Sequence, residues 1–113
     1  MSDVFTDERE IARTIIFIVS LISSEKTDSI TSKTEFVQDL AFQSLAIIEM
    51  GFAIQDLFDI TPDAKTILDL KCIDDVVQVV CQQLGSDIGR MPTATELDEW
   101  AAYYSDEAAR DAQ

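Results

Sequence analysis

The sequence has no histidine, only two cysteines and few basic side chains, and each shortage removes a class of function. Without histidine there can be no Ser-His or Cys-His nucleophile pair, no histidine general base and no zinc site that depends on imidazole. Lys and Arg total 8 against 22 for Asp and Glu, a formal net charge of −14. A chain this acidic is repelled by phosphate backbones and anionic membrane surfaces. No nucleic-acid binding is expected, and basic protein surfaces become the expected partners. Cys72 and Cys81 fall in what reads as one helical stretch, where nine residues rise about 13 Å, too far for a disulfide. Two cysteines cannot hold a structural zinc alone, so both read as small apolar side chains in or near a core. Long apolar runs are also missing. Ile15 to Ile22 is too short to cross a bilayer, and it follows Asp3, Asp7, Glu8 and Glu10, where a signal peptide would need a basic leader. No membrane insertion is expected, and the expected compartment is the cytoplasm.

What is present suits one domain. At 113 residues, 47% hydrophobic and 27% charged, the chain can build a single core but not two. Thr6 followed by Asp7 and Glu8 is a helix start, a capping hydroxyl ahead of carboxylates favoured by the helix dipole. Ile11, Ile15, Ile18, Val19 and Ile22 then mark one buried helical face, with Arg9 and Arg13 outside. Ser23 to Gln43 lacks periodicity and reads as a long loop anchored by Ile30, Phe36 and Leu40, a length that is often functional. Ser44 to Phe58 reads as a second helix. Its apolar surface, from Leu45, Ile47, Ile48, Phe52, Ile54 and Leu57, is broader than one stripe, which implies burial on several sides or a face that meets another molecule.

Thr61-Pro62-Asp63 predicts a short third helix to about Leu68, with Thr61 as cap and Pro62 in the first helical position. Leu70, Ile73, Val77, Val80 and Leu84 predict a fourth, closed by Gly85. Beyond Gly85 the composition shifts, so the chain divides into residues 1–85 and an acidic extension, 86–113. In the extension Thr93-Ala94-Thr95-Glu96 has the form of a capping box, and Leu97, Trp100 and Tyr104 would share one side of a short helix. There is no repeat and no sustained strand alternation. The fold class is all-α. Asp56, Asp59 and Asp63 lack the glycine and spacing of an EF-hand loop, so no metal site is expected. A paired-carboxylate hydrolase would need a cleft that a small bundle does not offer.

Ser44 stands out by position. The run from Ile30 to Leu45 ends a long loop and places a hydroxyl at a helix N-terminus, where backbone N–H groups are unpaired and the dipole favours negative charge. On local sequence alone, an ordinary N-cap is the commoner meaning of such a serine. Over roughly residues 5 to 85 the chain resembles an acyl carrier protein. Phe36-Val37-Gln38-Asp39-Leu40 is similar to that family's segment before its modified serine, and Ser44-Leu45 with Ile48-Glu49 to the start of its second helix. Phe58-Asp59-Ile60-Thr61-Pro62-Asp63 is similar to the turn into its short third helix, and Leu70, Ile73, Val77 and Val80 match the apolar spacing of its last.

The resemblance implies a four-helix bundle, three helices longer and one short, here with an appended C-terminal helix. It implies 4'-phosphopantetheine, derived from coenzyme A and attached to Ser44 by a phosphopantetheinyl transferase. Acyl thioesters on that arm would pass between acyl-transferring and condensing enzymes of fatty-acid-like or polyketide biosynthesis. The chain itself would be a carrier and not an enzyme. Where the family commonly has Gly, a variable residue and Asp before the serine, this chain has Ala41, Phe42 and Gln43. Its second helix is also poorer in acid. Partner contact is therefore expected to lean on Phe42, Gln43, Leu45, Ile47 and Met50, with Glu49 and Asp56 as ion-pair contacts. Two other readings stay open: an unmodified scaffold using the apolar second helix and the Trp100 tail, and a peptidyl or aminoacyl carrier. A monomer is the simplest expectation.

Overall fold

The computed structural model describes residues 8–111, with side chains as far as 105, and among them the fold is all-helical, as expected. The helices are α1 (Glu8–Ser23), α2 (Ser44–Phe58), α3 (Ala64–Leu68), α4 (Ile73–Gly85) and α5 (Ala94–Asp111), with a 3-10 turn, Thr27–Ser29, between α1 and α2. The α1 cap expected at Thr6, with Asp7, lies outside the described residues. Ile11, Ile15, Ile18 and Val19 of α1 are buried, and Ile22 is half-buried at the rim of the core. They meet Ile73, Val76, Val77 and Val80 of α4 and the inner face of α2. No helix among the described residues is long and apolar enough to cross a membrane.

The long α1–α2 connection is held at both levels, side chain and backbone. Ile30 and Phe36 are buried and Leu40 half-buried, as their spacing predicts. The loop also satisfies the open N-terminus of α4. Ile73 N–H donates to Thr34 O at 3.0 Å and Asp74 N–H to Ser32 O at 2.8 Å, two groups that have no partner within the helix. Phe36 N–H donates to Lys71 O at 2.9 Å, beside an isolated antiparallel bridge between Glu35 and Cys72. The Asp75 carboxylate accepts from Lys71 N–H and Cys72 N–H at 2.8 and 3.3 Å.

Two local expectations are corrected. The α3 cap is Asp63, not Thr61: its carboxylate accepts from Thr66 N–H at 2.8 Å, which holds it below the usual carboxylate range. Pro62 therefore precedes the helix. Cys72 is the N-cap residue of α4 and not part of it. Gly85 is the last residue of α4, as expected, without itself turning left-handed. That conformation falls on Asp87, with φ 63°, while Ile88 N–H reaches back to Gln83 O at 2.9 Å. Both cysteines are free and half-buried; burial pushes the Cys81 thiol up, with Glu8 and Asp74 adding to it.

The segment after α4 is tightly anchored. Gly89 lies against Ile60 and the Phe58 carbonyl, and Arg90 N–H donates to that same carbonyl at 2.8 Å. The expected capping box forms, Glu96 N–H donating to Thr93 Oγ1 and Thr93 N–H to Glu96 Oε1. Leu97 and Trp100 pack against the core, and Trp100 stacks on Tyr104 with ring centroids 5.3 Å apart. Tyr104 is half-buried, and burial, then the Glu49 carboxylate, raise its phenol. So α5 starts near the C-terminal end of α2 and runs along α1, its Tyr104 and Ser105 reaching Ser20, Leu21 and Ser24. At 18 residues it is longer than the short element expected, and Trp100 is packed down rather than presented on a tail.

Arg90 grips Glu96 with two hydrogen bonds, 2.9 and 2.7 Å long. That grip, with the Thr93 N–H bond, holds the Glu96 carboxyl down at about 2. A folded value below the unfolded one of about 4.3 means the pair's contribution is present above that pH and lost as pH falls through it toward 2. An NMR titration of the side-chain carboxyl should find its midpoint near the low value, and Arg90→Gln should return it toward the ordinary range. An ordinary midpoint in the unaltered protein would contradict the pairing.

Candidate functional site

The start of α2 is unusual for how little holds Ser44. The first helical bond runs from Ile47 N–H to Gln43 O at 3.2 Å, so Gln43 is the N-cap and Ser44 the first helical residue. The N-cap reading of Ser44 is thereby corrected. Gln43 makes no side-chain capping bond, and no hydrogen bond among the described residues engages the Ser44 hydroxyl. That hydroxyl is exposed. Beside it the N–H groups of Ser44, Leu45 and Ala46 have no intrahelical partner, and the helix dipole favours negative charge there by about 0.3–1 kcal/mol. A free hydroxyl under unpaired N–H donors suits attachment of a phosphodiester.

The approach to Ser44 is rigid. Phe36 and Phe42 are buried and stacked, ring centroids 5.6 Å apart, and Phe42 N–H donates to Phe36 O at 2.8 Å. Asp39 closes the turn by accepting from Glu35 N–H at 2.8 Å. Between them Ala41 has φ 56°, a left-handed conformation that costs a residue with a Cβ roughly 1 kcal/mol. It sits where the resemblance has glycine.

The residues expected to meet partners divide by helical phase. Ile47, Met50 and Phe42 are buried, Met50 completely, so the expectation that partners read them is corrected: they face the core because they lie on the α1 side of α2 or under Phe36. Gln43, Leu45, Glu49 and Asp56 are exposed. Leu45, Glu49 and Asp56 share one stripe with Phe52 at spacings of four, three and four, so all four point outward together. Leu45 is 68% exposed and Phe52 59%. Phe52 was not among the expected contacts, although its i+7 spacing from Leu45 was available to find it. The stripe carries two acids, and α2 has no Lys or Arg.

Two spaces flank the helix. An open groove of about 340 Å³ is lined by Ile22, Leu40, Phe42, Gln43, Leu45 and Glu49 among others. On the other side, a crevice between α2, α3 and α4 holds only about 10 Å³. Ile67 fills it, lying so close to Gly51 that a Cβ there would be 2.7 Å from Ile67 Cγ2. A carbon chain would enter only if Ile67 moved.

Gln43→Asp puts a capping carboxylate where none acts and should stabilise the protein by about 1 kcal/mol. A higher urea midpoint at unchanged slope would report it; an unchanged midpoint would show that the cap position is already satisfied.

No family model matches the chain. A stretch of 73 residues is 30% identical to an acyl carrier protein of Thermobifida fusca, covering 65% of this chain and 92% of that protein. The likeness spans nearly the whole of that relative and accords with the all-helical bundle described above. The chain belongs to the acyl carrier protein family, and its role is that of a carrier rather than an enzyme.

Proposed function

We propose that Ser44 is the attachment point of 4'-phosphopantetheine and that this carrier serves enzymes of fatty-acid-like or polyketide biosynthesis. The observation that carries the reading is the Ser44 hydroxyl: exposed, unbonded, and in the first position of α2. When bound, the group supplies a terminal thiol that holds an acyl chain as a thioester. Ser44 Oγ would attack the pantetheine-side phosphorus of coenzyme A as the diphosphate P–O bond breaks, adenosine 3',5'-bisphosphate leaving and the serine proton passing to the transferase. The unpaired N–H groups at the α2 start would favour the negative charge of such a phosphate, and the Phe36–Phe42 stack holds the segment before Ser44 in place.

Leu45, Glu49, Phe52 and Asp56 form the docking stripe, with Gln43 at its head. Its acids and the net charge of −14 draw in basic docking surfaces over distances that salt shortens, while Leu45 and Phe52 supply apolar contact. Incubation with a promiscuous phosphopantetheinyl transferase and coenzyme A should add the mass of one arm to the intact protein and nothing to Ser44→Ala. An unchanged mass in the unaltered protein would contradict the reading. Gln43, in place of the family's usual aspartate, favours the second reading, an unmodified scaffold; that one predicts partner complexes that persist in Ser44→Ala.

A further inference from the structure

The appended helix brings its second half to the end of the bundle where Ser44 sits. Arg90 N–H is bonded to Phe58 O, at the far end of α2, and from there α5 runs along α1 toward its C-terminal end. Tyr104 and Ser105 also line a gap with Ser20, Leu21 and Ser24 at the C-terminal end of α1. Glu49 lies five residues beyond Ser44, a rise of about 7.5 Å along α2. Ile22 and Ser23, from the same turn of α1, line the open groove with Gln43, Leu45 and Glu49, so Tyr104 and its neighbour Tyr103 lie at the same end of the bundle as the attachment point.

A standard protein interface covers about 800 Å² on each partner, which as a disc has a radius of about 16 Å. An enzyme that encloses Ser44 and covers the groove beside it extends toward this part of α5. What it meets there matches the α2 stripe. Tyr103 is 66% exposed beside the docked Tyr104. From Ala94 to Ser105 the helix carries Asp98 and Glu99, besides the Arg90-bound Glu96, and no Lys or Arg. Exposed apolar side chains set among acids, with no basic residue on either helix over that span, fit an apolar partner surface rimmed by Lys and Arg.

We propose that α5 is half of a composite docking face, on which Tyr103 joins Leu45 and Phe52 in contacting a basic-rimmed enzyme that acts at Ser44. The proposal rests on Ser44 being the attachment point. Tyrosine is among the residues that dominate interface energetics, and its truncation should cost about tenfold in affinity. The full-length chain would be loaded by a promiscuous phosphopantetheinyl transferase with coenzyme A, and kcat and KM measured for each variant. Tyr103→Ala should raise KM about tenfold, with kcat and Tm unchanged, and Tyr103→Phe should restore most of the loss. Ile88→Ala, an exposed apolar position at the opposite end of α2, should leave KM unchanged. If Phe52→Ala raises KM and Tyr103→Ala does not, docking uses α2 alone and the proposal is overturned. Equal losses in Tyr103→Ala and Ile88→Ala would also overturn it. If the unaltered protein is not loaded at all, the Ser44 reading fails instead.

Discussion

Phe36→Ala should lower the unfolding free energy by about 3–5 kcal/mol, the range for truncating a fully buried aromatic ring. Phe36 has no exposed surface, and it is the meeting point of otherwise separate parts of the fold. Its ring stacks on Phe42, its N–H donates to Lys71 O ahead of α4, and its carbonyl accepts from Phe42 N–H. Alanine keeps the backbone bonds but leaves a cavity beneath the loop and removes the stacking, which is worth about 0.5–1.5 kcal/mol beyond the area buried. Against a typical stability of about 5–15 kcal/mol this is a large fraction. The damage should also reach the site, because Phe42 is two residues before Ser44. Urea unfolding would measure it, with Val37→Ala as reference: Val37 is 62% exposed, and its truncation should change stability by less than about 0.5 kcal/mol. A Phe36→Ala loss below about 1 kcal/mol would mean that the loop is not held by this ring.

Gly89→Ala should be nearly as costly, for a backbone reason. Gly89 has φ 84°, which costs an alanine roughly 1–2 kcal/mol. An added Cβ would lie 2.4 Å from both Ile60 Cγ2 and the Phe58 carbonyl oxygen and 3.0 Å from the Asp59 carbonyl oxygen. The Phe58 carbonyl cannot yield freely, since Arg90 N–H is bonded to it. Strain and clash together should cost about 2–4 kcal/mol, and the chain can relieve them by lifting the segment that leads into α5. The expected signature is a lower Tm with a red shift of Trp100 fluorescence, as the ring leaves the core. Gly85→Ala is the contrast: nothing lies within 4 Å of its would-be Cβ, and the helical alanine should be neutral or stabilising by up to about 1 kcal/mol. A Gly89→Ala protein with unchanged Tm and emission would show that α5 does not depend on that close approach.

Much of this architecture was legible in the residues. The limits of α2 and the anchors Ile30 and Phe36 followed from where periodicity starts and stops, and the Thr93–Glu96 box from its own chemistry. Caps were less legible, because several polar residues compete for each one: Thr61 and Asp63 are both good caps, and the hydrogen bond to Thr66 N–H decides for Asp63. The left-handed residues Ala41, Asp59 and Asp87 carry no glycine to announce them. The outward face of α2 was hardest. Leu45, Ile47, Met50 and Phe52 are all apolar, so composition cannot say which meet α1 and which meet solvent. The phase shared with Glu49 and Asp56 points Phe52 outward, and the packing bears it out, with Met50 buried and Phe52 exposed. The docking of α5 depends on Gly89 meeting Ile60, a contact between distant parts of the chain that no local pattern encodes.

The most direct test uses protein taken from the cells that make it. Fragmentation mass spectrometry of the intact chain should locate one phosphopantetheine arm, bare or acylated, on the serine that opens α2. Finding residue 44 unmodified while the rest of the chain is accounted for, or the arm on another side chain, would contradict the account.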